Sequence, residues 1–395
     1  MTLRRILVVG TSLAGLRAVE TLRSEGFDGR IDWVGEETHL PYDRPPLSKQ
    51  ILRGEWGEER IALRKGGYDE LAVELHAGRR ACALDLDARR VALDDGRAID
   101  FDGLILATGA KPRHLVAAES LAGVYVLRTL DDARAIVAAL GARPRVGIIG
   151  AGFIGMEVAA SCRQLGLSVF VVEPAAAPCM RGMGRRVGER IAALHRDEGV
   201  DLRLGIEVSE IEGARRVERV KLSDGTTLEA DLIVVGIGAS PAVDWLHGSG
   251  LELEDGVLCA ATCATRCPGV VAAGDVARAY HPLYGEHLRI EHWSHAVEQG
   301  VTAARTLLHG PGAKPLTTVP MVWSDQYDLK IQVAGQVRPG DALHVVEGSL
   351  EERRFAAVYL RGERIVGAVA FNHPRRLIQL RQGIARGAGI ADLPA

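Results

Sequence analysis

The sequence has few aromatic residues and cysteines and no excess of charge of either sign. Aromatic residues make up 5% of its 395 positions, six residues are cysteine, and the formal net charge is −3. A balanced charge excludes bulk attraction to nucleic acid or to an anionic membrane. So few cysteines predict no disulfide framework and favour a reducing, cytoplasmic location. Long apolar runs are also missing, since none reaches the ~18 residues of a membrane span, and no signal-peptide pattern precedes the first strand-like segment.

Glycine, in contrast, is abundant, and 46 glycines with many aliphatic residues indicate an α/β protein long enough for two or three domains. The apolar run at residues 6–9 leads into a G-x-G-x-x-G turn whose glycine positions hold Gly10, Ser12 and Gly15. Glu36 follows about 20 residues later, at the end of the next predicted strand. Such a turn presents a helix N-terminus to a pyrophosphate, and the acid accepts hydrogen bonds from a ribose. Ser12 replaces the middle glycine, where the backbone approaches phosphate most closely.

Residues 145–173 repeat this arrangement with all three glycines, Gly150, Gly152 and Gly155, and with Glu173 at the end of the second strand. Two such units predict two dinucleotides bound at once. The alternative is a pair of purely structural glycine turns. Between the units, residues 80–110 are expected to be rich in strands, with a hairpin turn at residues 94–96.

Three further apolar runs end in glycine or an acid where a parallel strand would finish. They end at Thr108-Gly109, at the GIGASP segment that contains Gly238, and at Gly274-Asp275. Ligands collect at the carboxyl ends of parallel strands, so these residues are candidate binding residues. A helix is predicted near Asp131 and another from about Trp293. From about residue 320 the alternating pattern predicts a separate α+β unit, with a final helix after Pro374.

The segment THLPYDRPPLSKQIL, residues 38–52, contains three prolines that forbid regular structure until Leu47, where a helix can begin. It is either a stiff loop that holds polar groups over a ligand or a solvated surface connection. Two other clusters resemble metal sites, but we expect no metal, because Pro268 and a strand disrupt the alignment of the first cluster. These clusters are Cys259, Cys263 and Cys267, and the histidines 281, 287, 292 and 295 with Glu286 and Glu291.

The motifs GTSLAG, PYDRPPLSK, LATG, GAGFIGMEVA, GIGASP, AAGD, EHWSHAVEQG and WSDQYDLKIQVAG occur in this order. Together they resemble the FAD-dependent NADH–ferredoxin reductases of bacterial oxygenases and cytochromes P450, over essentially the whole chain. This resemblance implies two Rossmann-like dinucleotide-binding domains and a C-terminal α+β domain. The FAD domain would comprise residues 1–109 and 240–319, the NAD domain residues 110–239, and the C-terminal domain residues 320–395.

The resemblance also implies which residues contact FAD. The pyrophosphate would lie over residues 13–15, Glu36 would bind the adenosine ribose, and Ala81 would lie near the adenine. Trp293 and Trp323 would lie beside the isoalloxazine. The full set of expected FAD residues is Gly10, Ser12, Leu13, Ala14, Gly15, Glu36, Arg44, Lys49, Ala81, Thr108, Gly109, Arg128, Gly274, Asp275, Glu291, His292, Trp293 and Trp323.

For NAD, the expected contacts are Gly150, Gly152, Phe153, Ile154, Gly155, Glu173 and Gly238. Glu173 favours NADH over NADPH, because a carboxylate accepts from a free 2′-hydroxyl and repels a 2′-phosphate. The expected catalytic residues are Lys49 and Glu157, which match a pair beside flavin N5 in the family. Their alternative interpretation is an ordinary salt bridge. The expected chemistry is hydride transfer from NADH to FAD.

The expected partner is a [2Fe–2S] ferredoxin that feeds a cytochrome P450 or a Rieske oxygenase. Residues 364–390 contain five arginines and no acid, which suggests docking near Arg375, Arg376 and Arg381. A solvated helix face is an equal alternative, and both monomer and homodimer remain open. Alternative functions are a disulfide reductase, which would need a pair of redox cysteines after the first glycine-rich turn, and an NADH oxidase, which would need a peroxidatic cysteine near residues 38–50. The only cysteine before the second turn is Cys82. An interaction protein similar to apoptosis-inducing factor is a further alternative.

Overall fold

The computed structural model describes residues 3–115 and 121–393 of the chain. Within these ranges there are six α-helices, none of them long and apolar enough to cross a membrane. They are α1 Leu13–Ser24, α2 Leu130–Leu140, α3 Phe153–Gln164, α4 Met180–Asp197, α5 Trp293–His309 and α6 Pro374–Arg386. The predicted helices near Asp131, Trp293 and Pro374 are confirmed.

The chain divides into two compact units. The first unit comprises the residues up to Asp43, Ile61–Lys111 and Ser240–Pro320. The second comprises Arg44–Arg60, Pro112–Ala239 and the residues from Met321 onward. Ala110–Pro112 and Ala239–Pro241 form a two-stranded sheet. The three-domain division expected from the sequence remains a prediction.

A five-stranded parallel sheet forms the centre of the first unit. Its strands, in spatial order, are Val270–Ala272, Gly103–Leu106, Arg5–Val9, Arg30–Gly35 and Val73–Ala77. Successive residues of a strand point to opposite faces. Ile6 and Val8 therefore join the core with α1 and α5, whereas Leu7 and Val9 join the core on the other face. Burial of both faces explains the continuous apolar run in the sequence.

Two smaller sheets complete the first unit. One is an antiparallel sheet of Ala81–Asp85, Arg90–Leu93 and Ala98–Asp100, and the other contains Val257–Cys259, Ala277–His281 and Glu286–Arg289. The hairpin predicted at residues 94–96 is confirmed, since Gly96 adopts a φ of +82° between two paired strands.

The second unit repeats the parallel sheet. Its strands, in order, are Asp201–Leu204, Val169–Glu173, Val146–Ile149, Leu232–Val235 and Val124–Val126. A three-stranded antiparallel sheet of Val208–Glu212, Arg219–Leu222 and Thr227–Glu229 shares a hydrophobic core with it.

The C-terminal part of the second unit is a five-stranded antiparallel sheet with one helix. The strands, in order, are Met321–Gln326, Leu329–Gly335, Arg364–Phe371, Phe355–Arg361 and Ala342–Gly348. Helix α6 buries Leu377, Leu380 and Ile384. The expected fold class, two Rossmann-like folds followed by an α+β region, is confirmed.

The expectation that a helix can begin at Leu47 is wrong. Pro45–Ser48 forms a short 3₁₀ helix, and Lys49 leaves it with φ −124° and ψ −98°. This backbone conformation cannot continue a helix. The side chains of Pro46, Leu47, Ser48 and Lys49 are instead all buried.

Both glycine-rich turns bring the start of a helix very close to the strand before it. A Cβ built on Gly155 would lie 2.1 Å from the carbonyl oxygen of Gly150, and a Cβ on Gly15 would lie 1.9 Å from that of Gly10. In the first turn, the missing Cβ leaves room for the indole Nε1 of Trp33 to donate to the Gly10 carbonyl at 2.9 Å. Close packing of helix on strand therefore requires glycine at these positions.

We predict that Gly155→Ala destabilises the protein, because its methyl group would collide with backbone that cannot move aside. Overpacking of this kind costs about 1–3 kcal/mol or more. Gly152→Ala is the matched control, since Gly152 has an ordinary φ of −72° and no atom within 4 Å of the added Cβ. Thermal unfolding is the measurement. Equal melting temperatures of the two variants would contradict the argument.

Candidate functional site

The two glycine-rich turns have nearly the same backbone geometry. The amide N–H of Gly10 donates to Val34 at 2.7 Å, and that of Gly150 donates to Val172 at 2.9 Å. Gly10 has a φ of +123° and Gly150 a φ of +101°, a region that favours glycine. The sequence repeat is therefore a structural repeat, with a helix N-terminus and its free N–H groups after each turn.

Ser12 occupies a position that does not need the conformational freedom of glycine. Its φ is −116°, and it is the N-cap residue of α1, just as Gly152, with φ −72°, is the N-cap residue of α3. The carbonyl oxygens of both residues accept the first helical hydrogen bonds. The replacement of the middle glycine therefore leaves the turn intact.

The two acids that follow the turns have different surroundings. Glu36 is exposed at the end of its strand. Glu173 is half-buried, and its two carboxylate oxygens accept the backbone N–H groups of Ala151 at 2.7 Å and Ala175 at 2.8 Å. Each carboxylate oxygen still has capacity for a second hydrogen bond. Glu173 thus stabilises the glycine-rich turn itself and can also accept a ribose hydroxyl.

In the first unit, several expected FAD residues are held by neighbouring polar groups. Trp293, at the start of α5, donates its indole N–H to the carboxylate of Asp43 at 2.7 Å. The hydroxyl of Thr108 donates to the carbonyl oxygen of Ala242 at 3.0 Å. Ala81 is buried and Asp275 is half-buried. The structure thus gives these residues defined positions.

Three side chains near the start of α5 bury polar atoms that lack a protein partner in the described ranges. They are Nδ1 of His292, Nδ1 of His295 and Nε2 of Gln299. Burial lowers the pKa of His292 to about 4, and burial together with His281 lowers that of His295 to about 3, so both imidazoles are neutral. Gln299 also accepts the N–H of Gly274 at 2.7 Å. Unsatisfied polar atoms beside Gly274 and Asp275 fit a polar group supplied by a bound cofactor.

In the second unit, Lys49 and Glu157 form a buried ion pair. Nζ of Lys49 donates to Oε2 of Glu157 at 3.0 Å, and both side chains are at most 6% exposed. Oε2 also accepts the hydroxyl of Ser48, and Oε1 accepts that of Ser324 at 2.7 Å. Glu157 lies on α3, Lys49 follows the proline-rich segment, and Ser324 lies on the first C-terminal strand. The two residues thus form a buried ion pair, and their role toward a flavin stays a prediction.

This pair continues into a buried polar chain that our sequence analysis missed. Nε2 of Gln326 lies 3.1 Å from Oγ of Ser324, Oε1 of Gln326 lies 3.0 Å from Nε2 of His195, and Nδ1 of His195 lies 3.3 Å from the hydroxyl of Tyr327. The motif WSDQYDLK contains three of these residues. No sequence signal singles out His195, which is one of several polar residues on an amphipathic helix.

Other expected cofactor residues of the second unit lie along its surface. Arg44 donates to the carbonyl oxygen of Arg128 at 2.6 Å, and both are half-buried, as is Trp323. On the NAD side, Ile154 is 45% exposed beside the half-buried Phe153. An exposed isoleucine at the mouth of a glycine-rich turn offers an apolar surface to a ligand.

Neither the cysteine cluster nor the histidine cluster named in the sequence analysis forms a set of metal ligands within the described ranges. The grouping with metal-like spacing there is Asp32, Glu74 and His76, but Arg30 pairs with both acids. The guanidinium of Arg30 therefore supplies the positive charge that a metal ion would supply to these carboxylates. Cys259 and Cys263 are buried. His281 is also buried, and its Nε2 lies 3.0 Å from the carbonyl oxygen of Thr318.

One of the three arginines expected to receive a partner is not accessible. Arg376 is 8% exposed, lies 3.6 Å from a carboxylate oxygen of Glu347 and donates to Gln379. Arg375 is exposed and Arg381 is half-buried. The prediction is therefore wrong for Arg376, because α6 turns this residue toward the sheet.

The paired glycine-rich turns, each with its own acid, define an oxidoreductase of the two-dinucleotide class. Residues 4–300 match the family model "Pyridine nucleotide-disulphide oxidoreductase", and residues 321–393 match "Reductase C-terminal". The chain belongs to the pyridine nucleotide-disulphide oxidoreductase family and, within it, to the ferredoxin reductases. The family resemblance and enzyme class predicted from the sequence are confirmed.

Individual relatives match nearly the full chain. The ferredoxin–NAD(+) reductase component of the anthranilate 1,2-dioxygenase system of Burkholderia cepacia is 38% identical, over 97% of this chain and 94% of its own. Putidaredoxin reductase of Pseudomonas putida is 36% identical, over 95% and 90%. The crystal structure of the covalent putidaredoxin reductase–putidaredoxin complex matches with a TM-score of 0.93, at 35% identity, over 97% of this chain and 93% of that chain.

We predict that Glu157→Gln strongly destabilises the second unit, because it leaves the buried ammonium of Lys49 without a counter-charge. Breaking one partner of a buried pair costs about 3–5 kcal/mol. Glu189→Gln is the control, since Glu189 pairs with Arg185 at 2.8 Å on the exposed face of α4, where the expected cost is below about 0.5 kcal/mol. Denaturant unfolding monitored by circular dichroism measures both. Equal free energies of unfolding would show that the buried pair contributes no more than a surface pair.

Proposed function

We propose that the protein is an NADH-dependent ferredoxin reductase. When bound, FAD supplies the ability to take a hydride from NADH and to release the two electrons singly. The observation that supports this function best is the pair of equivalent glycine-rich turns together with the buried Lys49–Glu157 pair. The first would allow two dinucleotides to bind, and the second would supply a fixed cation to the flavin.

The proposed FAD site uses the first turn for the pyrophosphate, with the N–H groups of residues 13–15 as donors. Glu36 would accept the adenosine ribose, and Ala81 would adjoin the adenine. The neutral His292 and the half-buried Asp275 would contact the middle of the cofactor. Trp293 would orient the flavin ring, and its hydrogen bond to Asp43 at 2.7 Å keeps the indole in place.

The remaining FAD contacts are proposed from the family motifs. They are Gly10, Ser12, Arg44, Lys49, Thr108, Gly109, Arg128, Gly274, Glu291 and Trp323. Lys49 would stabilise negative charge on the flavin, and Glu157 would orient Lys49. No side chain needs to act as a nucleophile.

The second turn is the proposed NADH site. Gly152 is exposed, and a Cβ at this position would meet no atom within 4 Å. A pyrophosphate can therefore approach the N-terminus of α3 closely. Phe153 and Ile154 would contact the nicotinamide side, Gly238 would line the opposite strand end, and Glu173 would bind the ribose.

The proposed electron acceptor is a [2Fe–2S] ferredoxin that serves a cytochrome P450 or a Rieske oxygenase. This proposal rests on the family, whose members include putidaredoxin reductase and a dioxygenase component. The finer points, a cytoplasmic location and a monomeric or homodimeric state, remain proposals. The location rests on the cysteine usage alone.

The decisive experiment is stopped-flow reduction of the purified holoenzyme by NADH and by NADPH, followed by addition of a [2Fe–2S] ferredoxin. Fast reduction by NADH and fast electron transfer to the ferredoxin are the expected results.

Glu173→Ala should weaken NADH binding by about 10–100-fold, the value of one lost charge-assisted hydrogen bond, and should improve the rate of reduction by NADPH relative to that by NADH. Glu229→Ala, which removes an exposed acid elsewhere in the second unit, is the control.

Three outcomes would contradict the proposal. A protein that binds no FAD would exclude a flavoenzyme. A flavin that accepts hydride but reduces no ferredoxin would favour an NADH oxidase or an interaction protein. Unchanged NADH selectivity in Glu173→Ala would remove the role of this carboxylate.

We further propose that the exposed face of α6 receives the ferredoxin. Arg375 and Arg386 are exposed on this helix, Arg381 is half-buried, and Ile378 between them is 57% exposed. An apolar contact surrounded by arginines suits an acidic partner. Arg376 takes no direct part, because its guanidinium is buried.

We predict that Arg375→Gln slows ferredoxin reduction by about 2–5-fold at low ionic strength, because a rim charge acts mainly on the association rate. The effect should shrink as salt is added. Arg215→Gln is the charge-matched control, because it removes an exposed arginine that lies outside α6. If both variants slow the reaction equally, net charge rather than the α6 face steers the partner.

A further inference from the structure

The buried chain from Glu157 to Tyr327 has a single direction of hydrogen-bond donation. Glu157 is paired with Lys49, so its carboxylate only accepts. The hydroxyl of Ser324 must then donate to Oε1 of Glu157, which leaves its oxygen to accept from the next residue. The NH₂ group of Gln326 is therefore the group that faces Ser324.

The same argument continues to the far end of the chain. With its NH₂ group on Ser324, Gln326 presents Oε1 to His195, so Nε2 of His195 carries the proton. Nδ1 of His195 is then the acceptor of the Tyr327 hydroxyl. Burial lowers the pKa of His195 to about 4, which agrees with a neutral imidazole that has one protonated nitrogen. Every donor in the chain thus points toward Glu157.

The chain is deeply buried up to its last member. Ser324, Gln326 and His195 are each 0% exposed, and Tyr327 is half-buried. Hydrogen bonds in a row polarise one another and are stronger in a low dielectric. Gln326 cannot pass a proton as an acid or base does, so the chain orients groups and does not conduct protons.

We propose that Ser324, Gln326 and His195 are positioning residues that hold Oε1 of Glu157, so that Oε2 stays directed at Lys49. This inference rests on the proposed function, in which Lys49 serves the flavin. Loss of any member of the chain frees Glu157 to rotate and lets the ammonium of Lys49 leave its place. The effect of His195 reaches Glu157 through three hydrogen bonds and Lys49 through a fourth, with no direct contact between His195 and Lys49.

The main alternative is that these residues only attach α4 to the C-terminal strands. Tyr359 separates the two interpretations. It is 2% exposed, and its hydroxyl donates to the carbonyl oxygen of Met183 on α4, so it also joins α4 to the C-terminal sheet. It has no hydrogen-bond path to Glu157 through the chain described above. Tyr359→Phe is therefore the structural control.

The test uses the FAD-loaded enzyme and four variants. Ser324→Ala and His195→Met break the chain, His195→Gln keeps an N–H donor near the position of Nε2, and Tyr359→Phe loses only the attachment. We expect the two chain-breaking variants to lower the equilibrium constant for FAD reduction about tenfold, as the loss of one hydrogen bond to a charged group implies. For a two-electron couple, this change equals about 30 mV in midpoint potential. His195→Gln and Tyr359→Phe should keep the wild-type potential.

A second measurement does not depend on flavin chemistry. In ¹⁵N-histidine NMR, His195 should appear as the neutral tautomer protonated at Nε2. Glu157→Gln replaces an acceptor by a group that can donate, so it should allow the chain to reverse and shift His195 toward the Nδ1-protonated form. A wild-type His195 protonated at Nδ1, or a tautomer unaffected by Glu157→Gln, would overturn the oriented chain.

The outcomes separate this inference from the proposed function. If all variants lose stability as Tyr359→Phe does and keep the wild-type potential, the chain is structural and the inference fails while the reductase function stands. If NADH does not reduce the wild-type flavin, the proposed function fails, and the role of the chain toward Lys49 fails with it. The NMR result would still decide whether the chain is oriented.

Discussion

A buried carboxylate is costly unless its lone pairs are occupied, and much of the second unit is arranged around this constraint at Glu157. Its two oxygens accept one ammonium and two hydroxyl groups, from the proline-rich segment and from the first C-terminal strand. Each of these elements must reach the same few ångströms of α3. A buried ion pair gives little stability relative to a well-packed apolar contact, but removal of one partner leaves an uncompensated buried charge.

The glycine-rich turns follow a different constraint, which is steric. The carbonyl oxygen of Gly10 or Gly150 lies where the Cβ of the last glycine of the motif, Gly15 or Gly155, would be, so this last position accepts no side chain. The middle position lacks such a neighbour and has ordinary φ values, which explains why Ser12 is tolerated there. The three glycines of this motif therefore differ in kind. Two are required by the fold, and the middle one matters only through its distance from a ligand.

The arginines of the C-terminal helix α6 show a third constraint, the packing of the helix on its sheet. Four arginines without an acid look like one cationic patch in the sequence of α6, yet Arg376 is buried and pairs with Glu347 on a strand of the C-terminal sheet. The rotation of α6 about its axis is set by Leu377, Leu380 and Ile384, which must face the core. An adjacent arginine on the same side of the helix is then drawn inward.

Local patterns in the sequence were enough for the two nucleotide-binding folds, the strand-rich segments, the helices near Asp131, Trp293 and Pro374, and the family. Each of these depends on residues close in the chain or on motifs read as units. The two hydroxyl partners of Glu157 could not be derived in this way, because Ser48 lies 109 residues from it and Ser324 lies 167 residues from it. His195 meets Gln326 across 131 residues. Hydrogen bonds between such distant residues depend on how the sheets and helices pack, and only the tertiary structure decides that.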